Sequence, residues 1–437
     1  MEWYWAAALM VGLILVFMAL GFPVAVAFLA ANAIGVYLFM GGGVGLEQLV
    51  GSASDSLSSF LLVAVPLFIV MGNLMVHTGL AGRMMDGFDK LIGRVPGRLC
   101  YVSVGAGTLF GALSGSAMAS TAMLGSTLVP EMMRRGYKKH MAMGPILGAG
   151  GLDILIPPSA LAVLLGSIAQ IDIGRLLIAG IVPALILAVM YVIVIAVQLK
   201  IDPSGAPAYD LQRTAWREKL ISVAVNLAPL GLVIFCVVGL ILMGVATPTE
   251  SAAFGVLSIL VLAAAFRCLT WEAVRKSLED TMRVTVMVFF IILASLTFSQ
   301  VLGFSGASSG LVQWALGFNF PPTTLLALML GIVILLGLFI DEVSQIMLVV
   351  PIYMPIVKAV SLDPIWFGTL MMMCMVIGAL SPPFGLQLFV MMGVGPKGTT
   401  LSEVAWAAVP YMICQVILMA LIIAFPFIAT WLPQLAQ

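Results

Sequence analysis

Twelve long apolar stretches, parted by short clusters of charge, make up almost the whole chain. They are Trp3–Leu20, Phe22–Met40, Ser58–Thr78, Cys100–Glu131, His140–Ile171, Ile178–Leu199, Leu220–Met243, Thr249–Phe266, Val284–Ser305, Thr324–Pro355, Ile365–Val394 and Val404–Thr430. A hydrocarbon core near 30 Å takes about 20 helical residues, and ten of these stretches suit one crossing each. Cys100–Glu131 and Thr324–Pro355 must each begin and end on one side. Legs of about 15 residues give roughly 22 Å of helix, too short to cross, so both predict re-entrant hairpins. Between the spans, Ala81–Arg94 is amphipathic, and the Gly-rich stretch from Gly41 to Leu57 is expected as an external connection.

The pattern repeats. A shift of 225 positions lays Pro23 on Pro248, Pro96 on Pro321, Pro130 on Pro355 and Pro157-Pro158 on Pro382-Pro383. Five of the seven prolines between Gly21 and Gln170 therefore fall on a proline without a gap, far above coincidence. A duplication in a membrane chain is the mark of a transporter. It divides the chain into an N-terminal span (1–20), a first repeat (21–199), a cytoplasmic linker (200–219), a linking span (220–243) and a second repeat (246–430). The repeats carry hairpins at 100–131 and 324–355 and long crossings at 140–171 and 365–394.

Charge sets the sides. Sixteen of nineteen Lys and Arg lie in Arg83–Arg98, Arg134–Lys139, Lys200–Lys219 and Arg267–Arg283, which the positive-inside rule places in the cytoplasm. Shifted by 225, Arg83–Arg98 maps onto the uncharged Ser308–Thr323, and Arg134–Lys139 onto Ala359–Pro364, whose one charge is Asp363. Equivalent loops thus lie on opposite sides and the repeat is inverted. The crossings close with both termini outside. Composition agrees with a membrane chain: 62% hydrophobic and 9% charged residues, with mean hydropathy +1.19, leave too little polar surface for a soluble fold. Zero formal net charge offers no basic face for nucleic acid. Trp3–Leu20, preceded by Glu2, lacks a basic n-region and reads as a retained span. The five cysteines are scattered and read as small core residues.

Four stretches break helix rules, in two pairs. The crossings His140–Ile171 and Ile365–Val394 are too long for one straight span and carry Ile156-Pro157-Pro158-Ser159 and Ser381-Pro382-Pro383-Phe384 at their middles. Two prolines remove two donors and exclude α geometry before them. The freed carbonyls survive in a bilayer only when buried in protein or lining a polar cavity. The hairpin tips form the second pair. Gly111–Thr121 is rich in small hydroxyl residues, and Gly337–Gln345 contains Asp341, which falls on Ser116 under the shift. A carboxylate at membrane depth is a site by default. Hydroxyls, carboxylates and carbonyls are the oxygen donors a hard cation prefers.

Weaker signals surround these. Thr247-Pro248-Thr249-Glu250 is a capping box opening a span, with ion contact by Glu250 as the lesser alternative. Asp153 either joins the polar cavity or caps a half-helix. His77 and His140 sit at membrane edges. Gly395–Thr400 lacks phosphate-loop spacing and H-E-x-x-H does not occur, so an ATP-driven pump and an enzyme are both disfavoured.

At these residues the chain resembles the large membrane subunit (M subunit, DctM-like) of tripartite ATP-independent periplasmic (TRAP) transporters. Leu109–Ser116 with Val129-Pro130-Glu131, Gly148–Ser159, Thr247–Glu250, and Gly337–Asp341 with Ser381–Val390 carry the resemblance, which covers nearly the whole chain. It implies an all-α elevator transporter of the bacterial inner membrane that takes up a carboxylate or sulfonate with sodium. It further implies a small four-helix membrane subunit, a periplasmic solute-binding protein, and a mobile domain of about 100–171 plus 324–394 moving on the remainder. Carried over, Ser114, Gly115, Ser116, Gly151 and Pro157 would form one sodium site, and Asp341, Gly378, Ser381 and Pro382 a second. Ser120, Asp153, Ser159, Ser344, Gln345 and Glu250 are candidates for the substrate cavity. Many relatives carry a Gly-Pro or small apolar residue where this chain has Asp153-Ile154, and Thr where it has Ser381. A stand-alone organic-anion symporter and an uncoupled channel or assembly subunit are the alternatives; paired helix breaks argue against the last.

Overall fold

The computed structural model describes residues 2–58, 60–92, 95–114, 117–157, 159–207, 221–382 and 385–435, and these contain helices but no strand. The first half runs α1 (Trp3–Ala19), α2 (Val24–Phe39), α3 (Gly43–Leu57), α4 (Ala64–His77), α5 (Leu80–Ile92), α6 (Arg98–Ser114), α7 (Ala117–Arg134), α8 (Lys139–Leu152), α9 (Ala160–Ala169), α10 (Ile173–Ala179) and α11 (Ile181–Ile201). A linking helix α12 (Val223–Leu242) contains two π-helical turns. The second half runs α13 (Pro248–Ala265), α14 (Trp271–Phe304), α15 (Ala307–Gly317), α16 (Pro322–Gly337), α17 (Glu342–Ala359), α18 (Pro364–Leu380), α19 (Leu386–Val394), α20 (Leu401–Ala424) and α21 (Phe427–Leu435). Helix bounds keep the 225 offset closely: α7 and α17 start and end 225 residues apart.

Among the described residues six helices are long and apolar enough to cross a membrane by length and composition, including α14 and α20. Three features add to the sequence reading. The stretch after Gly41, expected only as an external connection, is a helix from Gly43 to Leu57 in which Leu46, Leu49 and Val50 recur at helical spacing. The hairpin legs are 17, 18, 16 and 18 residues long, so α17 is long enough to span, although most of it is buried inside the protein. And α14 is one helix of 34 residues, where the first half splits the same stretch into α3, a 3₁₀ turn at Phe60–Val63 and α4.

The site is positioned by crosswise packing. Each hairpin lies on the first segment of its own broken helix, α6 and α7 on α8, α16 and α17 on α18. Each second segment then packs on the other half's hairpin, α19 on α7 and α9 on α17. Glycines allow the close approach. A Cβ on Gly125 of α7 would meet Val394 of α19 at 2.5 Å, and Cβ atoms on Gly144 and Gly148, one turn apart, would meet Tyr411 of α20 at 2.8 and 2.5 Å. Small residues at that spacing are how membrane helices dock without a hydrophobic drive between them. Helices α11 and α20 also pack on α8. Helices α2, α4, α13 and α14 pack on one another and meet the block where α4 touches α6 and α9 and α14 touches α9 and α17, with α5 against α6 and α15 against α17.

Prolines inside helices leave carbonyls that a neighbouring helix must satisfy. Pro145 removes the donor for the Met141 carbonyl, and Cys100 Sγ on α6 donates to it at 3.2 Å. Pro351 does the same for Met347, whose carbonyl accepts from Ser295 Oγ on α14 at 3.1 Å. Charged contacts between helices gather at the ends that the crossing count assigns to one side. Examples are His77 with Asp280 at 2.8 Å, Lys138 with Asp202 at 2.6 Å, Lys139 with Glu403 at 2.8 Å, and Arg83 over the Phe266 ring at 4.7 Å. The bond from Lys138, with help from Ser204, holds the Asp202 carboxyl below its ordinary value.

Candidate cation site at the helix breaks

In the second half the tip and the break meet through bare backbone. A Cβ on Gly378 would lie 3.0 Å from the Gly337 Cα, and one on Gly337 would lie 2.9 Å from the Gly378 Cα and 2.6 Å from Gln345 Nε2. Asp341 is the N-cap of α17: its carboxylate accepts from the amides of Val343 at 3.1 Å and Ser344 at 3.2 Å, and from the Ser344 hydroxyl. It is therefore fixed in place, half-buried, at the positive end of a helix. Gly337, Ile340, Asp341, Glu342, Gln345, Ala379 and Leu386 enclose a cavity of about 10 Å³, near the least that holds one water and so on the scale of a dehydrated monovalent cation. Ser381 Oγ donates to the Ile377 carbonyl at 2.7 Å, which leaves its lone pairs free. The chain curls so that a Cβ on Gly385 would meet the carbonyls of Ala379 at 2.7 Å and Ser381 at 2.8 Å. Pro382 is exposed.

In the first half the break comes earlier. Helix α8 ends at Leu152, with Leu155 and Ile156 folded back by bonds to its carbonyl, and Pro157 is buried. Asp153 is fully buried against Gly111 of α6: a Cβ there would overlap its carboxylate. The Ser120 hydroxyl of α7 faces it, yet neither carboxylate oxygen has a hydrogen bond of good geometry among the described residues. Gly150 faces Thr121 and Gln387, which bond at 3.4 Å, and joins the two halves there. Gly151 faces Val376 and Gln415, and Gln415 Nε2 donates to the Tyr191 hydroxyl at 2.9 Å. Gly115, Ser116, Pro158, Pro383 and Phe384, and the side chain of Ser114, lie outside the described residues.

Other expected residues have local work. Ser159 caps α9 by accepting from Ala162 N, so Ser159 rather than Asp153 is the cap. Glu250 is held in a capping box with Thr247, at 2.8 Å to both its amide and its hydroxyl, and stands exposed on α13, away from the breaks. Ser344 supports Asp341. Sequence reasoning missed Glu342, Thr121 and Gln415 and left Gln387 inside a motif. A buried acid next to Asp341, and glutamines on apolar helices, were the available signals.

Around the two breaks the unpaired atoms share one character, while away from them Asn32 Oδ1 and the hydroxyls of Thr249, Ser251 and Thr285 are also buried without a partner among the described residues. Both oxygens of Asp153, Oε1 of Glu342, and the amide oxygens of Gln345, Gln387 and Gln415 are buried without a hydrogen-bond partner among the described residues. All are acceptors. Buried polar groups are normally satisfied, and a surplus of oxygen acceptors at two helix breaks fits a hard cation, not a base or nucleophile.

Solved structures share this all-helical fold: the YdaH transporter of Alcanivorax borkumensis superposes with a TM-score of 0.63 at 13% identity over 94% of this chain and 97% of that one. MtrF of Neisseria gonorrhoeae gives 0.62 at 14% identity over 97% of each. Sequence relatives are nearer. The chain is 31% identical to the ectoine TRAP transporter large permease protein TeaC of Halomonas elongata over 98% of both chains, and 31% identical to the C4-dicarboxylate TRAP transporter large permease protein DctM of Pseudomonas aeruginosa over 86% of both. It is 28% identical to the isethionate TRAP transporter permease protein DctMQ of Oleidesulfovibrio alaskensis over 95% of this chain and 65% of that one. Residues 11–428 match the model of the tripartite ATP-independent periplasmic transporter, DctM component, and the chain belongs to that family. It is a multi-pass transporter subunit of the inner membrane and not an enzyme.

Proposed function

We propose that the chain imports a small organic acid anion with sodium, the two helix breaks each holding a cation. The surplus of buried acceptor oxygens at both breaks is the observation that carries this. The matching helix bounds and the opposite loop charges support an inverted repeat with both termini periplasmic. Alternating access would then be an elevator movement of the hairpins and broken helices against α2, α4, α13 and α14. Packing favours taking α11 and α20 with the moving block, beyond the 100–171 and 324–394 expected from sequence. The relatives are permeases for ectoine, C4-dicarboxylates and isethionate, all small and anionic or zwitterionic. The word tripartite in the family's name supports two partners, a small four-helix membrane subunit and a periplasmic binding protein.

Coupling is tested on the purified chain in detergent by thermal unfolding, exchanging potassium for sodium at fixed ionic strength and pH. A sodium-specific rise is expected, since a ligand at about ten times its dissociation constant stabilises by roughly 1.4 kcal/mol. Equal curves in the two salts would overturn sodium coupling and leave a proton-coupled or uncoupled carrier.

The organic anion itself has a candidate entry. A cavity of about 440 Å³ lies on the seam between α9, α14 and α17, and Gln170, Ser299, Gln300 and Lys358 line it. That volume suits a small acid, and Lys358 supplies a positive charge that the hairpin tips lack. Lys358→Gln should raise the half-saturating substrate concentration of uptake about tenfold, the loss of one charge-assisted contact, with Lys358→Arg near wild type. An unchanged value in Lys358→Gln would remove this lysine from the path.

A further inference from the structure

The two halves fill equivalent space from opposite sides. Under the 225 shift Gly378 stands where Asp153 does, and Gln345 where Ser120 does. In the second half the helix offers a bare glycine, and the hairpin reaches across with Gln345, whose amide nitrogen lies beside both Gly337 and Gly378. In the first half the hairpin keeps only the short Ser120, and the helix reaches out with Asp153 to Gly111. The swap exchanges an amide for a carboxylate.

We propose that Asp153 is the charged ligand of a sodium ion held between the first hairpin and the break at 153–159, with Ser120 and neighbouring carbonyls as its neutral partners. The inference rests on the sodium-coupled reading above.

Three observations lead to it. The carboxylate is completely buried, with the Ser120 hydroxyl facing it and no hydrogen bond of good geometry to either oxygen among the described residues, and one neutral hydroxyl does not offset the several kcal/mol that such a buried charge costs. Among the described residues no basic side chain is near. Along the helices that enclose it, the basic residues are Arg98 on α6, Arg134 on α7, and Lys139 and His140 on α8. Each lies 13 or more residues from Gly111, Ser120 or Asp153 respectively, roughly 20 Å of helix. The packed helices α11 and α20 present Tyr191, Tyr411 and Gln415 to neighbouring glycines, none of them cationic. Lastly, Asp153 follows the last turn of α8, where the helix dipole is negative and disfavours an acid. A structural cap would not put a carboxylate there, whereas a cation would be drawn to both. Among the described residues no three His, Cys, Asp or Glu side chains gather, so one carboxylate with neutral oxygens suits a monovalent ion rather than a divalent one.

The test uses thermal unfolding of the full chain in detergent, titrated with sodium chloride against potassium chloride at fixed pH, on Asp153→Asn, Asp153→Gly and the double variant Asp153→Gly/Ser120→Gln. The last rebuilds the second half's arrangement in the first. In potassium all three should unfold at or above the wild-type temperature, because an uncompensated charge has gone. Their half-saturating sodium concentration should rise by at least about tenfold, as expected when a metal loses a ligand group. If Asp153→Gly follows the wild-type sodium curve, Asp153 is not a ligand, although sodium coupling stands. If Asp153→Asn unfolds lower in potassium with its sodium curve unchanged, the residue is a buried neutral acid with a packing role, and the proposal falls. If the wild type itself ignores sodium, the coupled reading fails together with this inference.

Discussion

Gly378→Val should abolish uptake and destabilise the fold. Gly378 and Gly337 meet backbone to backbone, with no side chain between them to rotate away. A valine must push α18 off α16, and overpacking of this kind costs about 1–3 kcal/mol where side chains can adjust; two helix backbones adjust less. The displacement also moves Ala379, which bounds the small cavity beside Asp341. Uptake into proteoliposomes should drop at least a hundredfold, a change of about 2.7 kcal/mol in barrier, and the melting temperature should fall in potassium as well as sodium. Gly378→Ala should be intermediate. A fully active valine variant would mean that the contact opens in the working transporter and that the cavity is not a site.

Asp341 combines two roles that substitution can separate. Its carboxylate caps α17 through Val343 and Ser344 and faces the cavity shared with Glu342 and Gln345. Asp341→Ala loses both and should cost about 1 kcal/mol of cap in any salt. Asparagine caps a helix about as well as aspartate, so Asp341→Asn should unfold near the wild-type temperature in potassium. It should nevertheless lose sodium-driven uptake and most of the sodium-induced rise in melting temperature. Should Asp341→Asn respond to sodium as the wild type does, Asp341 is a cap alone, and the second cation would have to be sought at Glu342.

Much of this was legible in the residues. Paired double prolines announced both breaks because proline's missing donor and fixed φ are local properties, independent of what packs around them. Acid at the second tip was equally plain, since a membrane leaves few reasons for Asp341. What the sequence hid was who faces whom. Gln387 of one half meets Thr121 of the other across 266 positions, and the buried Glu342, next to Asp341, lines one cavity with Ala379 and Leu386, which are remote in sequence. The local partners of two serines were hidden as well: Ser159 accepts from the Ala162 amide, and the Ser344 hydroxyl donates to the Asp341 carboxylate. At Gly41–Leu57 the glycines obscured the helical spacing of Leu46, Leu49 and Val50.

One bond described above crosses the seam between the parts proposed to slide. Ser295 on α14 donates to the Met347 carbonyl that Pro351 leaves open on α17. Every passage of α17 along α14 must break it, and in hydrocarbon no water waits to replace the donor. An orphaned carbonyl costs about 1–3 kcal/mol, and each ~1.4 kcal/mol slows a step about tenfold. On the elevator reading the seam would contain a detent: a catch that holds the carrier in one position and sets its dwell time there, whatever ion or substrate is aboard.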